Sequence, residues 1–157
     1  MKQVDDFKTQ YEQELLYQEI AANKNTLKGF IWFLLAVALV WVLTMIGFFE
    51  VDKTLTSIAF LANIILFFPP FFILLRGKLS MPWIKYFLLF LLCMVSAVII
   101  STLSYHAVLL YVFPLLYAVQ YRKKVVIWYA YAVNLITITL SSIFSFYYGI
   151  CDLKNQR

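Results

Sequence analysis

Charge is absent from the long apolar runs. Between Phe30 and Phe49, Leu55 and Leu75, Tyr86 and Gln120, and Val125 and Ile150 there is no Asp, Glu, Lys or Arg. Ion-coupled transporters, proton pumps and voltage sensors generally depend on charge inside the membrane, so these classes lose support. Glycine occurs four times, cysteine twice and histidine once. So little glycine leaves no phosphate-cradling loop, and no nucleophile and base pairing or paired carboxylate is present. Cys93 and Cys151 lack metal or redox spacing and read as small hydrophobes, while one histidine cannot hold a metal unaided. No catalytic residue, metal site or cofactor is therefore expected. Charged residues make up only 13% of the chain, against roughly 25% in ordinary soluble domains, which argues against a water-soluble globule. Residues 1–28 alternate acid, base and amide without an apolar core, unlike a signal peptide.

Apolar residues, in contrast, make up 64% of the 157, and aromatic residues 19%. A helix needs roughly 20 apolar residues to cross hydrocarbon, because lipid offers the backbone no hydrogen-bond partner. Residues 29–49 and 55–75 meet that length, as do residues 125–150. Residues 83–120 are too long for one crossing and most polar at Ser101, Thr102, Ser104, Tyr105 and His106, which divides them into spans 83–101 and 104–120. The sequence thus predicts an all-α fold, a polytopic membrane bundle of about five transmembrane helices within residues 26–151. An amphipathic helix over residues 1–25 precedes it, with Val4, Phe7, Tyr11, Leu15, Leu16 and Ile20 on one face. Asn25 or Thr26 is expected to cap the first span after a break at residues 23–26.

The formal charge of +5 is placed between the runs. Arg76, Lys78 and Lys85 follow the second span, and Arg122, Lys123 and Lys124 follow the fourth, whereas the alternate links hold Lys53 alone. These bases read as topology markers at the cytoplasmic face and contacts for the lipid bilayer, not as a nucleic-acid groove. The amino terminus is then cytoplasmic and residues 152–157 form a tail outside. Five crossings with no domain beyond them predict truncation before a sixth span.

Uncharged polar groups are the remaining candidates. Asn63 and Asn134 can glue helices together or meet a ligand. Thr137, Thr139, Ser141, Ser142 and Ser145 cluster in the last span and allow close helix approach. Pro69, Pro70 and Pro114 remove backbone donors and are expected to bend the second and fourth spans, as fixed bends or as hinges. Tyr105 and His106 lie at a predicted outer turn, where His106 is either a sensor of pH or ligand or an interfacial side chain bonded to its neighbours.

The segment from His106 to Lys124, HAVLLYVFPLLYAVQYRKK, resembles the amino-terminal membrane region of bacterial GGDEF proteins, the membrane-anchored diguanylate cyclases, and of related sensor kinases. The run Gly47 to Val51 and the start of the third span, Trp83 to Tyr86, share the likeness. The chain contains no Gly-Gly-Asp-Glu-Phe motif, so no cyclase residue carries over. The resemblance implies location in the bacterial plasma (inner) membrane, a homodimer, and a cytosolic output domain in cis. The expected function is that of a sensory or anchoring input module without catalysis. The alternative is a small transport or channel component for an uncharged substrate, and a third reading is a structural anchor whose first helix binds a partner.

Overall fold

A computed structural model describes residues 2–48, 52–77, 79–103 and 109–147, with side chains from Gln10 onward except at 102 and 103. All regular structure among the described residues is helical: α1 (Lys2–Ile46), α2 (Lys53–Arg76), α3 (Ile84–Leu103), α4 (Val112–Val119) and α5 (Lys124–Tyr147). Four of these helices are long and apolar enough to cross a membrane: α1, α2, α3 and α5.

The first helix is one unbroken element of 45 residues, so the break expected at residues 23–26 does not occur. Asn and Thr favour caps because their short side chains can satisfy free N–H groups at a helix start. Neither expected residue does so here: Asn25 is exposed within the continuous helix, Thr26 is buried and donates to the Ala22 carbonyl of its own helix, and the neighbouring Asn23 bonds to Leu79 and Tyr121. The uncharged stretch from Gly29 to Ile46 is the part of α1 that fits hydrocarbon. Before it, residues 10–14 and 16–18 are exposed, including Tyr11, Leu16 and Tyr17, so this segment packs little of its surface on the bundle.

Local chemistry sets the ends of α1 and α2. Gly47 takes φ +90°, and the N–H groups of Phe48 and Gly47 donate back to the carbonyls of Leu43 and Thr44, the Schellman pattern that stops a helix. Asp52 then caps α2, its Oδ1 accepting from the N–H groups of Thr54 at 2.7 Å and Leu55 at 3.3 Å. The helix α2 runs through Pro69 and Pro70 as a single element and ends at Gly77, whose φ of +64° suits a residue without Cβ.

Side-chain pairs give the directions of the passes. Phe30 meets Phe67 and Trp41 stacks on Phe60, so α1 and α2 are antiparallel. Tyr86 meets Tyr129, Ser141 Oγ donates to the Ala97 carbonyl, and Ser145 Oγ donates to the Ser101 carbonyl. These partners rise together along both helices, so α3 and α5 are parallel and the chain must return between them. That return is made in part by α4. With its preceding 3₁₀ turn it covers Leu109–Val119, 11 residues and so about 16 Å, half the length of its neighbours. Pro114 is the third residue of α4, where a missing N–H costs no helical bond, so it begins this helix where a mid-helix bend was expected.

The centre of the bundle is α3, which touches all four other helices. Its apolar window is 67% buried, against 22–28% in the other three long helices. Leu88, Leu92 and Val95 of α3 pack with Phe30 of α1 and Phe67 of α2 in one core. A second core gathers Ala22, Leu89, Ala118, Tyr121, Val126 and Ala130 near the start of α3 and α5. The outer surface is correspondingly apolar, with Trp32, Ile65, Phe68 and Phe146 exposed.

Candidate functional site

Of the positions that the sequence singled out, Tyr105, His106, Lys78 and Cys151 lie outside the described residues. Asn63 and Asn134 are both buried, but at different interfaces. Asn63 Nδ2 donates to the Ala59 carbonyl of its own helix at 3.0 Å, and its Oδ1 has no partner. It borders a small void of about 20 Å³ with Val37, Trp41, Thr56 and Ile99. Asn134 Nδ2 donates to the Tyr111 carbonyl at 2.7 Å, tying α5 to the start of α4. That bond serves backbone that is not yet α-helical, at the 3₁₀ turn that precedes α4. The Asn134 Oδ1 is unpartnered. The Tyr111 hydroxyl lies toward Ser141 without a well-formed hydrogen bond. Of the last-span hydroxyls, Thr137, Ser141 and Ser145 are buried and line up with Asn134 at steps of three and four, whereas Thr139 and Ser142 are exposed. Cys93 is a buried free thiol, the small hydrophobe it was expected to be.

The densest polar cluster lies elsewhere, at the end where α3 and α5 begin. Arg76, Lys85, Arg122, Lys123 and Lys124 all fall at the helix ends on this side, referred to below as the basic end. Glu19 of α1 is its hub. Lys85 Nζ donates to Glu19 Oε1 at 3.1 Å and to Oε2 at 3.2 Å, and Lys123 Nζ also contacts Oε1. The Lys85 side chain is only 8% exposed, so this pair is largely removed from water, whereas Lys123 at 43% stays hydrated. Burial pushes the Glu19 carboxyl up, but the hydrogen bonds and charges of Lys123 and Lys85 outweigh it and hold the group below its ordinary value.

One helical turn further along α1, at steps of four and three, come Asn23 and Thr26. Asn23 Nδ2 donates to the Leu79 carbonyl at 2.8 Å, and its Oδ1 accepts from the Tyr121 hydroxyl at 2.8 Å. Thr26 Oγ1 lies 3.2 Å from the same hydroxyl and donates to the Ala22 carbonyl of its own helix at 3.0 Å. Burial raises the Tyr121 phenol to about 12, with the Thr26 bond opposing the shift and the Glu19 charge adding to it. The turn that delivers Tyr121 is tight, because Arg122 takes the left-handed conformation at φ 52°. Gly29 completes the arrangement. The Tyr117 ring packs so closely on it that a Cβ there would overlap the hydroxyl end of the ring.

This network ties α1 to the α2–α3 link, to the start of α3 and to the α4–α5 turn. The sequence reads Lys85 and Lys123 as topology markers and singles out no role for Glu19 of the first helix. The signal present was the polar stripe Glu19, Asn23, Thr26 on one helical face, directly before a hydrophobic span. Searches of family models, of curated proteins and of solved structures find none that matches this chain.

Proposed function

We propose that this chain is a membrane-embedded input module of a bacterial signalling protein, one that anchors and orients a cytosolic helix and performs no catalysis itself. In this reading the four long apolar helices lie in the inner membrane with α4 returning beside them, and the basic end faces the cytoplasm. The observation that carries it is the unbroken α1, gripped at Glu19 by Lys85 and Lys123 where it leaves the apolar bundle. A helix continuous from hydrocarbon into water passes any shift of the bundle to its far end, and the grip sets its starting angle. Coupling of this kind requires two arrangements that a stimulus binds differently. The grip on α1 supplies a contact that can be made or released.

The test has two arms. Membrane placement requires that the chain float with lipid vesicles and that cysteines placed at 76 and 122 be labelled only from the cytoplasmic side. The input role requires that a diguanylate cyclase domain fused to the amino-terminal end of α1 change its output when Glu19 is replaced by Gln. Unchanged output, with the protein still in the membrane, removes signalling and leaves an anchor.

A further inference from the structure

A groove between α1 and α4 has no role in the account so far. Trp32, Phe33 and Val37 of α1 form one wall and Leu110, Phe113 and Tyr117 the other, enclosing about 260 Å³. The groove exists because these two helices approach through a few rings only: Phe33 and Phe113 meet edge to face at 6.0 Å, and Tyr117 rests on Gly29. Along α1 it runs from Gly29 to Val40, about 16 Å, which is roughly half the 30 Å hydrocarbon thickness and so the depth of one leaflet.

The mouth of the groove differs from its walls. Lys28 sits four residues before Trp32, on the same face of α1, and is exposed. Helical side chains lean toward the amino terminus, so the lysine stem extends past the aromatic walls and carries its ammonium to the basic end. Among the described residues it takes part in no ion pair, since Glu19 is held by Lys85 and Lys123. The amides of Asn25 and Gln120 are exposed at the same end, and no acid lies on this face of α1 between Asn25 and Val40. An apolar slot one leaflet deep with a cation and two amides at its mouth complements an amphiphile with an acidic head and a hydrocarbon tail.

We propose that this groove binds one acyl chain of an anionic phospholipid, with Lys28 meeting the headgroup phosphate. The assignment needs the membrane placement proposed above but not the signalling role. Trp32 in the wall is the reporter. With Trp41, Trp83 and Trp128 replaced by Phe, the full chain is reconstituted with bromine-labelled phosphatidylglycerol or bromine-labelled phosphatidylcholine, and quenching of Trp32 is titrated. The anionic lipid is expected to be favoured about fivefold, the equivalent of about 1 kcal/mol for one lysine at a membrane surface. Lys28→Gln should abolish that preference, while Lys124→Gln, which removes the same charge from the start of α5 at the same end but outside the groove, should leave it. Native mass spectrometry of the chain with its tryptophans intact gives a second reading: anionic lipid retained by the natural sequence and lost in Lys28→Gln. Equal quenching by both lipids, or an equal loss in the two lysine variants, overturns the assignment and leaves lipid that merely surrounds the bundle. Absence of quenching by either lipid overturns it together with the membrane placement.

Discussion

Asn23 at the basic end and Asn63 deep in the bundle are both almost fully buried, yet they are used in opposite ways. Asn23 engages both ends of its amide, giving a hydrogen bond to the Leu79 carbonyl and taking one from Tyr121. Asn63 bonds only to its own helix and leaves its carbonyl oxygen bare, and Asn134 shows the same bare oxygen although its nitrogen does reach another element. A fully connected polar network rigidifies the parts it joins, while a partly connected one contributes little and keeps some freedom. The basic end therefore joins several elements through one connected network, whereas the rest of the bundle has single bonds, such as those of Ser141 and Ser145 to α3 carbonyls, set among apolar packing.

The sharpest way to break that contrast is to remove the hub. Glu19→Gln leaves Lys85 buried without its countercharge, and loss of one member of a buried pair typically costs about 3 to 5 kcal/mol. Thermal unfolding in detergent should fall accordingly. Adding Lys85→Met to the Gln variant should recover most of the loss, and a double variant as weak as the single one would show that Glu19 acts through something other than the pair. Tyr121→Phe comes next, at roughly 1 to 3 kcal/mol, since it strips the partner from a buried Asn23 oxygen.

The same tyrosine gives a reversible version of the experiment. Its folded-state value of about 12 lies above the ordinary value of 10.0, so its contribution is whole below pH 10 and is lost as the pH rises toward 12. In Tyr121→Phe that alkaline limb of the unfolding curve should shrink. Glu19 has the opposite sign: its depressed value gives stability that is present above the ordinary carboxylate range and disappears as acid protonates the folded carboxyl. The smallest effects are expected in the interior. Asn134→Leu should cost about 0.6 kcal/mol, the average for a hydrogen bond between membrane helices, and Asn63→Leu should cost less because its only bond is local. An Asn63 effect larger than that of Asn134 would contradict the division between the two regions.

Much of the architecture was legible in the sequence because length and hydropathy are local properties. The ends of the expected spans 55–75 and 83–101 fall within two residues of those of α2 and α3. What eluded it depended on distant partners. Asn23 and Thr26 carry the composition of a helix start, and nothing local reveals that Tyr121, 98 positions from Asn23, will satisfy its amide oxygen. Lys85 reads as a loop cation until Glu19 is seen beside it, and the parallel register of α3 on α5 follows from packing that no periodicity encodes. The half-length α4 was also hidden, since apolar sequence on both sides of Pro114 resembles one long span.

The continuity of α1 has a geometric corollary. Residue 2 stands about 25 Å beyond residue 19 along the axis, so a tilt of about 10° at the fulcrum sweeps the tip through about 4 Å. Such a lever magnifies adjustments too small to disturb the packing that surrounds its pivot, and two lysines brace that pivot.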